Sequence, residues 1–159
     1  MRIVPFSPEL APAFAELNRD WIERLFAIEA ADLKVLNDPA AIVKAGGQIY
    51  FALDGQVAIG TVAAIATSSN RVELAKMAVA PRYQGHGVGQ ALGQRAIDWA
   101  RDVYRADMMF LETNSRLLGA IRLYERLGFV HRPMPAHSDY ARADVYMELA
   151  LGGERGRTR

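Results

Sequence analysis

A chain of 159 residues, 51% of them hydrophobic, is long enough to bury about 70% of its unfolded surface around one core. Its 19 Lys and Arg nearly balance 18 Asp and Glu, leaving a net charge of +1, which excludes charge-driven disorder and a strong field for nucleic acid. The lack of cysteine excludes disulfides, thiolate metal ligands and a cysteine nucleophile. His86, His131 and His137 lack the spacing of a zinc site, so no metal is expected. Met1 to Leu10 holds no apolar leader, and no run reaches the ~18 apolar residues of a membrane span. A cytoplasmic protein with no membrane or nucleic-acid partner is expected.

Taken in order, Arg2 to Phe6 is a short apolar run ended by Pro5 and Ser7-Pro8, and reads as a first strand. Ser7 before Pro8 and Glu9 marks a helix start, an N-cap with proline at the first helical position. Leu10, Phe14, Leu17, Trp21, Leu25 and Ile28 then recur three or four apart, which predicts one amphipathic helix of about five turns. Asp38-Pro39 opens a second, shorter helix through Val43, closed by Gly46-Gly47. Gln48 to Leu53 and Gln56 to Thr67 are apolar, β-branched runs flanking Asp54-Gly55, a dipeptide that favours a type I′ hairpin turn. Ser68-Ser69-Asn70 turns the chain into a fourth strand, Val72 to Val79.

Ala80-Pro81 ends that strand, and Gly85, Gly87 and Gly89 lead into a segment with helical apolar spacing. Strand, glycine loop and helix start together form a cradle for phosphate oxygens. Glycines tolerate positive φ and keep β-carbons away from a ligand, while the first helical turn offers unpaired N–H groups and the positive end of the macrodipole. A P-loop would need Lys-Ser/Thr after its last glycine, and a dinucleotide fingerprint would need the third glycine one position later. Neither pattern fits.

Val88, Leu92, Ala96, Trp99 and Val103 form the buried stripe of the next helix. Met108 to Glu112 reads as a strand, Leu117 to Leu127 as a helix stopped by Gly128, and Phe129 to His131 as a strand. Pro133 to Tyr140 is a loop, and Asp144 to Leu151 alternates as a last strand. The order βααβββαβαββ predicts an α+β domain over residues 1–151 with a mixed, twisted sheet of about seven strands. Residues 152–159 are rich in glycine and arginine and read as a disordered basic tail.

Arg82-x-x-Gly85-x-Gly87 resembles the Arg/Gln-x-x-Gly-x-Gly/Ala motif of the GNAT superfamily of acetyl-CoA-dependent N-acetyltransferases. Asn114, Ala120, Tyr124 and Gly128-Phe129 resemble that family's second segment, and the element order is that of its fold, with helices on both faces of the sheet. Two departures are visible: Arg116, Leu117 and Leu118 lengthen the gap from Asn114 to Tyr124, and Gln84 stands where arginine is frequent.

The resemblance implies acetyl-CoA as cofactor, leaving as coenzyme A. Its pyrophosphate would lie on the loop of Arg82, Gln84, Gly85, His86 and Gly87 and on the helix start at Val88, Gly89 and Gln90, with His86 offering its backbone N–H. The pantetheine arm would pair with the fourth strand at Met77, Ala78 and Val79, where the sheet must splay, and Asn114, Ala120 and Tyr124 would complete the site. A backbone N–H near Met77 would face the thioester oxygen.

An ammonium acceptor must lose a proton before it attacks, and a thiolate is best protonated as it leaves. Glu73 is the candidate base, placed by period two on the strand face of Ala75, Met77 and Val79. Tyr124 is the candidate acid. Glu29 and Asp32, between the first two helices, are the carboxylates that would suit a cationic amine, and Tyr140, Arg142 and Asp144 approach from the last strand, with Arg142 suited to an acceptor carboxylate. Without cysteine, transfer to a primary amine of a small molecule or peptide would proceed by direct attack in a ternary complex. The alternative is a non-catalytic acyl-CoA-binding or regulatory module of the same fold. A homodimer joined through the C-terminal strands is also compatible with the sequence.

Overall fold

A computed structural model describes residues 1–152. Seven strands, β1 (Arg2–Pro5), β2 (Gln48–Asp54), β3 (Val57–Ser68), β4 (Arg71–Val79), β5 (Met108–Thr113), β6 (Val130–Arg132) and β7 (Val145–Ala150), form one sheet in the order β1-β2-β3-β4-β5-β7-β6. All neighbours run antiparallel except β4 and β5. Helices α1 (Ala11–Leu25), α2 (Ala30–Asn37) and α3 (Ala40–Lys44) precede β2, α4 (Val88–Trp99) joins β4 to β5, and α5 (Leu118–Leu127) joins β5 to β6. The mixed α+β sheet is the expected one. The basic tail reading falls on residues 152–159, of which 153–159 lie outside the described residues.

Each face of the sheet carries its own core. Leu92 and Ala96 of α4 pack with Val62, Val72, Met109 and Met147 on one face, and Phe14 of α1 and Leu36 of α2 pack with Ile49, Phe51 and Ala63 on the other. Alternation along β2 and β3 sends successive side chains to these two cores, as a sheet covered on both faces requires.

Three expectations are corrected. The periodic run to Ile28 is not one helix: α1 ends at Leu25, because Phe26 is extended (φ −144°, ψ −167°). A further helix, α2, begins after Glu29, whose N–H donates to Asp32 Oδ2 at 2.9 Å. The acidic pair three apart is thus a helix start rather than an interhelical loop. In the β2–β3 hairpin, Asp54 pairs with Val57, so the turn residues are Gly55 and Gln56. Only Gly55 has positive φ (62°), the sign pattern of a type II′ turn and not of type I′.

The third correction moves a candidate catalytic residue. Ala75 faces Ala63 and Ala78 faces Thr61, so Lys76 and Met77 together oppose Val62, a β-bulge with Lys76 in the left-handed region at φ 52°. Beyond the bulge the alternation is out of phase. Met77 and Val79 pack with the α4 core, whereas Glu73 lies opposite Ile65, which packs with the α1 core. Glu73 therefore does not share a face with Met77 and Val79.

The pairing of β4 with β5 covers only Arg71 with Met108, Val72 with Met109 and Glu73 with Phe110. Past that point β5 bonds to β7 alone. The sheet splits into a V from Leu74 onward.

Candidate active site

A cleft of about 760 Å³ runs through this split. Because it passes between strands, it opens onto both faces of the sheet. Gln84, Gly85, Gly87, Val88 and Gly89, with residues of α5 including Ala120 and Tyr124, line one side; Trp21, Glu73, Lys76, Glu112, Tyr140 and Arg142 line the other.

On the α4 side, Gly85 (φ 79°) and Gly87 (φ 85°) need the left-handed region, and a β-carbon on either would meet nothing within 4 Å. Gly87 caps α4, whose first hydrogen bond runs from Ala91 N–H to the Gly87 carbonyl at 3.0 Å. The N–H groups of Val88, Gly89 and Gln90 are left to face other acceptors. Gly89 has a different reason to be glycine, since a β-carbon there would come within 3.0 Å of Leu123 Cδ2 where α4 meets α5. The Gln84 amide donates to the Val79 carbonyl at 3.0 Å and closes the end of β4. Oε1 of Gln90 is buried with no hydrogen-bond partner among the described residues. Arg82 lies 5.5 Å over the Tyr83 ring, and neither Arg82 nor His86 lines the cleft.

On the α1 side the centre is Asp32, wholly buried. Its Oδ1 accepts from Arg142 Nη2 at 2.6 Å and Lys76 Nζ at 3.0 Å, and its Oδ2 accepts from Arg142 Nη1 at 2.8 Å. Burial alone would raise this carboxyl, but hydrogen bonds from Arg142, the Glu29 N–H and Lys76 hold it down at about 2. Burial pushes Lys76 below the ordinary lysine range against the pull of Asp32. Lys76 also donates to the Tyr140 hydroxyl at 2.9 Å, and burial, with Asp32 and Glu73 nearby, raises that tyrosine. Glu29 accepts from the Ala141 N–H at 2.8 Å and from Arg142 Nη1 at 3.4 Å.

Tyr140 and Arg142 thus line the cleft, whereas Glu29 and Asp32 are turned to Arg142 and Lys76 and do not. The two carboxylates expected to meet an amine are used to hold cations. Asp144 accepts from the Ser115 N–H and hydroxyl at 2.8 and 2.9 Å.

The Glu73 carboxyl has no hydrogen-bond partner among the described residues, and the residue lines the cleft. Burial first, then Glu112 and Asp139, push its carboxyl up to about 7, while Lys76 works the other way. Tyr124 enters from the opposite side on α5, its ring 6.2 Å from that of Phe129. Its hydroxyl also has no partner among the described residues, and burial pushes it up to about 12. Met77, Ala78 and Val79 line the cleft along the open edge of β4. Asn114 is fully engaged: its amide donates to the Arg142 carbonyl at 2.7 Å and its Oδ1 accepts from the Arg116 N–H at 2.8 Å.

Among the cleft residues that the sequence did not single out for the site are Trp21, Lys76, Glu112 and Arg116. Lys76 had a signal, a lone charge inside the apolar run Leu74 to Val79. Trp21 follows the α1 stripe, and only the packing shows that its indole, donating to Asn18 Oδ1 at 3.1 Å, reaches the cleft.

The profile of the Acetyltransferase (GNAT) family matches residues 11–129. N-acetylaspartate synthetases from Rattus norvegicus and Homo sapiens are each 38% identical over 99 residues, which is 62% of this chain but 32% of theirs. N-acetyltransferase 8B from Rattus norvegicus is 30% identical over 89 residues, 53% of this chain and 40% of that one. The chain thus spans well under half the length of these relatives. Among solved structures, a GNAT acetyltransferase from Staphylococcus aureus superposes with a TM-score of 0.85 at 20% identity, covering 94% of this chain and 98% of that one. A Salmonella typhimurium chain solved with acetyl-CoA gives 0.75 at 24% identity, covering 95% and 94%. The split sheet and the glycine-capped helix beside it occur in a chain that the family profile spans for most of its length, and the protein belongs to the GNAT acetyltransferase family.

Proposed function

We propose that the protein is an N-acetyltransferase that moves the acetyl group of acetyl-CoA to a primary amine by direct attack, with both substrates bound at once. The observation that carries this reading is the split between β4 and β5, because it joins the two faces of the sheet. A thioester reaching in from the α4 side meets an amine reaching in from the α1 side. The names of the aligned relatives, N-acetylaspartate synthetase and N-acetyltransferase 8B, support acetyl transfer to an amine; a cytoplasmic setting is part of the proposal, and no helix among the described residues is long and apolar enough to cross a membrane.

The residues fit the cofactor. Gly85 and Gly87 leave room for phosphate oxygens in front of unpaired helix N–H groups, the open edge of β4 suits an amide-bearing arm, and the unpartnered Gln90 Oε1 calls for a donor. Acetyl-CoA supplies an acyl carbon activated by a thiol leaving group. Beside it, past the bulge at Lys76, Met77 lines the cleft, and a backbone N–H near Met77 would stabilise charge on the thioester oxygen. Glu73, balanced near neutrality, takes the ammonium proton directly or through a water. Tyr124, protonated throughout the neutral range, returns a proton to the departing thiolate.

The test is release of free thiol from acetyl-CoA in the presence of a broad amine panel. Acceptor-dependent release is expected. Tight acetyl-CoA binding with no release for any amine would favour the non-catalytic acyl-CoA-binding module.

A further inference from the structure

The acceptor side of the cleft is bipolar. Glu73 and Glu112 line it from β4 and β5, and three cations, Lys76, Arg116 and Arg142, line it as well. Two of those cations are already matched, since Lys76 and Arg142 share Asp32, with Glu29 on Arg142 besides. Arg116 makes no ion pair with any described residue.

Arg116, exposed at the cleft, still has a ring beneath it and an anchored backbone. Its guanidinium lies 4.9 Å over the Phe26 ring, and the Arg142 guanidinium lies 5.9 Å from the same ring, which Trp21 meets edge-on at 6.3 Å. Its backbone N–H is fixed by Asn114, whose amide is in turn tied to the Arg142 carbonyl. A guanidinium stacked on a ring keeps its donors in its own plane, free for a planar anion. Phe26 ends α1, so Arg116 belongs to the face opposite the glycine loop. The arginines of α5 that line the cleft, Arg122 and Arg126, lie on the cofactor side, where Leu123 packs against Gly89.

We propose that the acceptor is a free amino acid, an amine that carries a carboxylate, with the carboxylate held by Arg116 against Phe26 and the amine set against Glu73. This deepens the acetyl-transfer reading and rests on it. A plain amine would leave a fixed arginine unused at the mouth of the site, and a polyamine would bring further positive charge onto it. A carboxylate is the planar, two-oxygen partner that a stacked guanidinium recognises best, and a rigid aromatic backing lowers the entropy lost on binding.

Thiol release is measured with glycine, β-alanine, L-aspartate and L-glutamate, with glycinamide and β-alaninamide, and with ethylamine and spermidine, for the wild type and Arg116→Gln. The acids should exceed their amides in kcat/KM by roughly tenfold or more, the scale of one charged hydrogen bond. Arg116→Gln should raise KM for the acids by a similar factor and bring the acid-to-amide ratio near one, with Tm and KM for acetyl-CoA unchanged. Amides or plain amines used as well as acids would overturn the inference and leave acetyl transfer standing. So would an acid preference that survives in Arg116→Gln. Thiol release from no member of the panel would overturn both.

Discussion

Lys76 Nζ lies 3.0 Å from Asp32 Oδ1, with the two side chains 5% and 0% exposed, and the same lysine holds a left-handed backbone at φ 52°. A non-glycine residue in that region costs about 1–2 kcal/mol and persists where its surroundings fix it. Asp32 and the Tyr140 hydroxyl do so here. The bulge that sends Met77 to the α4 face is thus tied across the sheet to α2.

Asp32→Asn should therefore destabilise the fold by roughly 3 to 5 kcal/mol, the cost of leaving buried cations uncompensated. Its carboxyl sits at about 2 against an ordinary 3.8, so the unfolded chain binds more protons between those values. The stabilisation is complete above pH 3.8 and is lost as the pH falls toward 2. Urea unfolding from pH 7 to pH 2 should show this acid limb in the wild type and a flatter one in Asp32→Asn. Equal stability of the two at pH 7 would show that the pair does not hold the bulge.

Glu73 has the opposite sign. Its carboxyl is raised from 4.5 to about 7, so the folded state keeps a proton that the unfolded chain gives up, and stability falls as pH rises through that interval. Glu73→Gln should remove this loss while lowering kcat by roughly 10² to 10⁴, the range for one proton-transfer group. The wild-type kcat/KM should climb with an inflection near pH 7 that the variant lacks. A variant that retains both rate and inflection would leave Glu73 a buried carboxyl and nothing more.

Much of this was legible in the residues, and the gaps have physical causes. Strand runs, the glycine loop and the Asn114 to Phe129 segment lie where their patterns place them, because apolar period and turn chemistry are local signals. The bulge is not local. Lys76 leaves the strand phase for an anchor 44 residues away in α2, and period two alone then puts Glu73 on the wrong face. Likewise Glu29 and Asp32 read as free carboxylates until the fold brings Arg142 onto them across 110 residues or more. Arg116 had no pattern to mark it, since its partner Phe26 is 90 residues earlier in the chain.

At the loop, Gly87→Val puts a branched side chain where φ is 85° and where no protein atom lies within 4 Å. The fold should lose only about 1–2 kcal/mol from the strained backbone. The new methyl groups would occupy the space in front of the α4 N–H groups. Acetyl-CoA should therefore raise the Tm of the wild type, by the amount that binding to the native state alone confers, and leave the variant unmoved. ATP and NAD should shift neither. A shift in Gly87→Val equal to that of the wild type would rule the cradle out.

Tyr124 separates a packing role from a chemical one. Its ring packs against Phe129 and the α4 core, and its hydroxyl has no partner among the described residues. Tyr124→Phe keeps the ring and removes no hydrogen bond of the protein, so Tm should stay within the small range of a neutral substitution. If the hydroxyl protonates the thiolate, kcat should fall by roughly 10² to 10⁴. Acetyl-CoA affinity should hold, because that interaction exists only as the thiol leaves. The hydroxyl titrates at about 12, so it remains a donor well above the inflection assigned to Glu73. The kcat profile should accordingly show no loss attributable to Tyr124 below about pH 10, and Tyr124→Phe should lower the whole curve without moving the inflection near 7. Wild-type kcat in Tyr124→Phe would return this residue to the core and leave the thiolate to be protonated by water.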